Sequence, residues 1–188
     1  MNYAAIKKFD IANGPGVRIS LFVSGCRHHC KNCFNQEAWD FAYGEPFTPE
    51  ICREIIDAAA PDYIEGLSLL GGEPFEPENQ EEVLTLVREF KKRYPNKDIW
   101  CYTGFLFDNE LLAGKVGNPS TVQKLLSLID VLVDGKFVES LKNISLAFRG
   151  SENQRIIDVP GSLKSGGIVL SKYHKERPRK KSAELQQP

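Results

Sequence analysis

Apolar and polar positions alternate through Val17-Arg18-Ile19-Ser20-Leu21-Phe22-Val23, and this period of two in a β-rich stretch predicts a strand. The preceding Asn13-Gly14-Pro15-Gly16 is a turn signal strong enough to end whatever comes before it. Thr48-Pro49 has the form of an N-cap with proline at the first helical position. It opens a predicted helix through Ile51, Ile55, Ile56 and Ala59 that Pro61 stops. Gly66 to Leu70 is a short apolar run of the buried-strand type, ending in Gly71-Gly72-Glu73-Pro74. Val83, Leu84, Val87 and Phe90 then recur at helical spacing and predict a helix from about Asn79 to Tyr94. Further strands are predicted at Asp98 to Tyr102, Val131 to Val133 and Arg155 to Val159, with helices near Thr121 to Leu128 and Val138 to Leu141. Strands alternating with helices argue an α/β fold with a parallel sheet, in which ligands gather at the carboxyl ends of the strands. Those ends carry Cys-rich, Gly-Gly-Glu, Thr-Gly and Asp-Gly loops.

The chain has 188 residues, 41% of them hydrophobic, enough to bury a core in one domain but short for a complete eight-stranded α/β barrel of roughly 250 residues. The net charge of −1 hides an asymmetry: Lys172 to Pro188 carries six basic and two acidic residues, and the first 171 residues carry 18 basic and 23 acidic ones. The expected organisation is therefore a folded domain over residues 1–171 and a basic, disordered tail over 172–188. His174 falls in that polar tail and is expected to be solvated. A mildly acidic body does not hold nucleic acid by broad phosphate neutralisation. No signal peptide is visible at the N-terminus, and no apolar run approaches the roughly 20 residues of a membrane helix, so a cytoplasmic protein is expected.

Three of the five cysteines fall within eight residues, Cys26-Arg27-His28-His29-Cys30-Lys31-Asn32-Cys33, directly after a predicted strand. In a chain without a secretion signal, such clustering points to metal or redox chemistry before a disulfide framework. Three thiolates on one loop can ligate three irons of a cubane cluster and leave the fourth open to a small molecule. A structural zinc site wants four ligands, usually in paired spacings, and the second pair is missing, although His28 or His29 could complete a site. Adjacent histidines in so tight a loop more often face solvent or substrate. Cys52 and Cys101 sit among apolar neighbours and read as core residues. Trp39 and Trp100 read as packing residues, and Arg27 and Lys31 as surface charges.

The C-x3-C-x2-C loop of Cys26, Cys30 and Cys33, followed by Gly71-Gly72-Glu73-Pro74 at the end of the next strand, resembles the radical S-adenosylmethionine superfamily. The likeness narrows further. Asn13-Gly14-Pro15-Gly16-Val17-Arg18, Leu21-Phe22-Val23-Ser24-Gly25-Cys26, Tyr102-Thr103-Gly104, Val131 to Phe137 and Arg149 to Arg155 resemble, in order, segments of the activating proteins of anaerobic ribonucleoside-triphosphate reductase. It covers about Met1 to Val159.

The resemblance implies an incomplete TIM-type barrel of parallel strands with helices outside, which suits the short length. It implies a 4Fe-4S cluster on Cys26, Cys30 and Cys33, with S-adenosylmethionine chelating the open iron. Gly71, Gly72 and Glu73 would meet the methionine amino end, and Asn32, Cys33 and Phe34 would line the adenosyl side. Thr103, Asp134 and Lys136 lie at strand ends where related enzymes contact the rest of the cofactor. The implied activity is reductive cleavage of S-adenosylmethionine to a 5′-deoxyadenosyl radical that makes a glycyl radical on the reductase large subunit. The electron would come from a low-potential donor such as flavodoxin or ferredoxin. No side chain is expected to act as general acid or base. In two places the chain departs from its relatives' pattern. Asn32 replaces an aromatic residue common before the third cysteine, with Phe34 offering apolar surface nearby. Asn13 stands where a related class of activating enzymes has an Asp that helps bind a monovalent cation. Two other functions remain open to the same residues: radical chemistry on a different peptide or small molecule, and a non-enzymatic zinc or electron-transfer adaptor.

Overall fold

A computed structural model describes residues 1–175. In chain order the elements are β1 (Asn2–Asp10), β2 (Val17–Val23), β3 (Glu45–Pro46), α1 (Pro49–Ala58), β4 (Ile64–Gly71), α2 (Gln80–Arg93), β5 (Asp98–Tyr102), α3 (Pro119–Leu126), β6 (Val131–Asp134), β7 (Arg155–Asp158) and α4 (Val159–Ser165). They form one α/β unit on a seven-stranded open sheet of order β3-β1-β2-β4-β5-β6-β7.

The parallel expectation holds for the centre of this sheet and fails at its edges. Strands β2, β4, β5 and β6 are parallel neighbours, whereas β1 pairs antiparallel with β2, β3 with β1, and β7 with β6. The central strands are joined by helices, as parallel neighbours require, while the chain turns back directly at Asn13 to Gly16 between β1 and β2. Strand β1 escapes sequence reasoning because its burial pattern does not alternate: five half-buried residues precede three exposed ones.

Helix boundaries follow their caps. Thr48 Oγ1 accepts from Ile51 N at 3.4 Å, and Asn118 Oδ1 accepts from Ser120 N at 3.0 Å, so the third helix starts at Pro119, two residues earlier than its apolar spacing suggests. The expected helix at Val138 to Leu141 is a single 3₁₀ turn, Glu139–Leu141, and a π-helical turn spans Phe107–Leu111. No helix among the described residues is long and apolar enough to cross a membrane.

The pleat sorts the sheet into two unlike faces. Ile19, Leu21, Val23, Leu67, Leu69, Ile99, Cys101 and Leu132 pack with α1, α2 and α3 into the main core, where Cys52 and Cys101 are indeed buried. The other face carries Arg18, Ser20 and Ser68, all fully buried, and a second cluster of Trp100, Val131, Val133 and Ile156. Arg18 lies on this inner face, bonding through Nε to Ser68 Oγ at 2.7 Å and pairing with Asp98 at 2.6 Å. Phe148 and Tyr173 close the second cluster against Trp100, each with its ring centroid 5.3 Å away. His174 is therefore not solvated: it is half-buried, and its Nδ1 accepts from Ile156 N at 3.1 Å. Ordered contacts thus continue beyond the expected boundary at 171, and residues 176–188 of the expected tail lie outside the described residues.

Candidate functional site

One cavity of about 610 Å³ opens at the carboxyl ends of the parallel strands on the face without helices. That volume suits a small organic ligand. Cys26, Cys30, Cys33, Asn32, Phe34, Gly71, Gly72, Glu73 and Thr103 all line it. Two loops far apart in sequence are thus brought together because β2 and β4 are adjacent parallel strands whose ends must emerge side by side.

The joint between these loops is tight. Gly72 N donates to Val23 O at 2.7 Å and Glu73 N to Gly25 O at 2.8 Å. Gly71 has φ +111°, and a Cβ there would lie 2.7 Å from the Phe22 backbone; a Cβ on Gly72 would lie 2.5 Å from Gly25 O. Glycine is what allows the two main chains to touch. Asn79 completes the seam, its Nδ2 donating to both Ser24 O and Glu73 O at 2.9 Å.

Glu73 is 1% exposed, and its carboxylate is occupied by the protein itself. Oε1 accepts from Phe75 N at 2.9 Å and Thr103 Oγ1 at 2.8 Å, while Oε2 accepts from Gly104 N at 2.7 Å and His28 Nε2 at 2.9 Å. His28 lines the cavity, as a substrate-facing residue would, while its Nε2 is held on this carboxylate. His29 stacks on Trp39 with centroids 4.6 Å apart. Arg27 is exposed, as expected of a surface charge, and is also anchored: its backbone N–H donates to Glu76 Oε1 at 2.7 Å and its guanidinium pairs with Glu76 and Glu78.

Asn32 sits at φ +57°, in the left-handed region that asparagine tolerates better than an aromatic residue would, a local reason for its place before the third cysteine. Phe34 is 81% exposed at the cavity edge. Asp134 is fully buried, but it is held by Arg155 and by Phe107 N at 2.8 Å; Gly135, its neighbour, lines the cavity instead. Lys136 is exposed and is not among the lining residues. Asn13 lines the cavity, and its Nδ2 donates to Asp10 Oδ2 at 2.6 Å. Sequence reasoning missed the segment Lys142 to Gly150, which supplies Asn143, Ile144, Leu146 and Phe148 to the wall. Its irregular backbone offers no periodic signal, with Phe148 itself at φ +57°.

All five cysteines are free thiols. Burial, reinforced by the charges of Glu73 and Glu76, pushes the Cys26 thiol up to about 12, and burial beside Cys33 raises Cys30. Among the described residues no three Cys, His, Asp or Glu side chains converge as ligands of a single ion. Cys26, Cys30 and Cys33 do all line the cavity, and a cluster asks only that each thiolate meet a different iron.

Residues 12–157 match a family model described as a 4Fe-4S single cluster domain, a span that contains all three cysteines. The chain is 44% identical over 156 residues to the anaerobic ribonucleoside-triphosphate reductase-activating protein of Escherichia coli (strain K12), covering 82% of this chain and 96% of that one. It is 40% identical over 156 residues to the protein of that name from Enterobacteria phage T4, covering 83% and 93% of the two chains, and 44% identical over 158 residues to that of Vibrio cholerae serotype O1, covering 83% and 97%. The chain belongs to the anaerobic ribonucleoside-triphosphate reductase-activating proteins. The cysteine loop lies within the matched span, and the cavity places it beside the Gly-Gly-Glu turn.

Proposed function

We propose that this chain activates the large subunit of an anaerobic ribonucleoside-triphosphate reductase as a radical S-adenosylmethionine enzyme. The observation that carries the reading is the shared cavity: three free cysteines and the Gly71-Gly72-Glu73 turn line one opening. Cys26, Cys30 and Cys33 would hold a 4Fe-4S cluster, for which three soft thiolate donors on one loop are suited. When bound, the cluster and S-adenosylmethionine supply a low-potential electron and a 5′-deoxyadenosyl radical able to take hydrogen from a glycine Cα.

The chain's own residues bind and shield. The Gly71–Gly72 turn offers close backbone approach to the methionine end, the Glu73 side chain being committed to its four donors. Asn32 and Phe34 would border the adenosyl end. Leu70, Tyr102 and Phe148 give the wall apolar surface that limits water near a reactive carbon. We read the sheet, helices on one side and cavity on the other, as a partial barrel whose open side admits the partner's glycine segment. A flavodoxin or ferredoxin fits the need for a low-potential donor.

Anaerobic reconstitution followed by iron and sulfide analysis and a cleavage assay under dithionite tests the reading. The expected result is about four irons and four sulfides per chain, with methionine and 5′-deoxyadenosine released together. Zinc without sulfide would favour an adaptor and overturn it.

A further inference from the structure

His28 is not among the residues the family resemblance assigns to the cluster or its cofactor, yet it occupies the midpoint between Cys26 and Cys30. Its side chain is only 8% exposed. The Nε2 atom lies 2.9 Å from Glu73 Oε2, and the ring packs edge-on against Phe105 with centroids 4.4 Å apart. Glu73 in turn accepts from Thr103 Oγ1 and Gly104 N at the end of β5. One imidazole therefore links the cysteine loop, the turn after β4 and the end of β5.

The surroundings are shaped to this ring. A Cβ on Gly104 would lie 2.3 Å from His28 Cδ2, so even alanine at 104 displaces the imidazole. Gly104 has no left-handed φ to explain a glycine, which leaves the close approach of the ring as the physical requirement. The backbone needs anchoring here, because His29 at φ +48° and Asn32 at φ +57° hold the loop in conformations that cost energy in non-glycine residues.

We propose that His28 is a positioning residue: its hydrogen bond to Glu73 ties the cysteine loop to the ends of β4 and β5 and thereby sets the spacing of Cys26, Cys30 and Cys33 for the cluster. The proposal rests on the assignment of the cluster to these cysteines. The part that concerns the loop can be read in the protein without a cluster.

Hydrogen exchange of the apo-protein, compared among wild type, His28→Ala, His28→Gln and Gly104→Ala, separates the possibilities. Gln places a carboxamide N–H at about the reach of the imidazole. In His28→Ala and Gly104→Ala, amides within 26–33 and at 104 should exchange about fivefold or more faster than in wild type, and His28→Gln should return them towards it. Upon reconstitution with limiting iron and sulfide, the first two variants should take up severalfold less cluster and broaden the electron-spin signal of the reduced cluster, with His28→Gln recovering both. Circular dichroism establishes that each variant is folded. Exchange and cluster uptake unchanged in folded His28→Ala, or no recovery in His28→Gln, overturn the proposal. A wild-type chain that takes up no iron and sulfide overturns the functional reading instead, while the exchange rates still decide the tether.

Discussion

The Thr103 hydroxyl donates to Glu73 Oε1 at 2.8 Å, joining the end of β5 to the turn after β4 beneath the cavity. Both carboxylate oxygens of Glu73 face donors, so an amide cannot replace it without turning an N–H₂ group onto other N–H or O–H groups. Glu73→Gln should destabilise the protein by about 1–3 kcal/mol, the cost of buried donors left without an acceptor. A shift of the urea midpoint at unchanged slope measures it; an unmoved midpoint would contradict the arrangement.

Arg18 is a second buried organiser. Its guanidinium meets Ser68 Oγ, Leu67 O and the Asp98 carboxylate with no exposure of its own, while Asp98 remains 37% exposed. Arg18→Ala should cost about 2–4 kcal/mol, since it leaves several buried acceptors unpaired as well as a cavity. Asp98→Asn should cost less, because water still reaches that side chain. Equal losses in the two variants would show that the ion pair alone carries the effect.

Acid should weaken one clamp of the cysteine loop in a defined direction. The Arg27 guanidinium beside Glu78 lowers its carboxyl from 4.5 to about 2. A lowered native pKa gives stability that is present above 4.5 and is lost as pH falls towards about 2. The stability advantage of wild type over Glu78→Gln should therefore be constant near neutrality and shrink steadily below pH 4.5. An advantage that grows on acidification would reverse the sign and refute the pairing.

Tyr173 lies outside the family resemblance but inside the packing. Tyr173→Ala should destabilise the protein by about 1–3 kcal/mol through lost burial and ring contact with Trp100 and Phe148, and should alter Trp100 fluorescence. Unchanged unfolding and emission would place the segment 171–175 off the body.

Much of this architecture is legible in the sequence, and the boundary of legibility is physical. Strands β2, β4, β5 and β6 announce themselves because their flanking turns and apolar runs are local features, as is the cap at Thr48. Strand β1 pairs with β2 across a short turn, but its burial does not alternate, so no local period marks it; β7 is marked as a strand, but its antiparallel direction against β6 is set by the chain's path between them. The loop Cys26 to Cys33 and the Gly71-Gly72-Glu73 turn are readable as motifs, and the adjacency of β2 and β4 brings them together. The inward turn of His28 is not readable, because a histidine beside a second histidine carries no sign of which one faces a carboxylate 45 residues away. Nor is the Lys142 to Gly150 wall, whose residues meet the cavity through an irregular loop.

Activation itself is tested most directly by electron-spin resonance. The reconstituted protein is mixed anaerobically with the anaerobic reductase, S-adenosylmethionine and dithionite, with Cys30→Ala as the paired variant. The account predicts a glycyl-radical signal on the reductase with wild type and none with Cys30→Ala. A cluster-loaded wild type that yields no glycyl signal, or a Cys30→Ala variant that yields one, would contradict it.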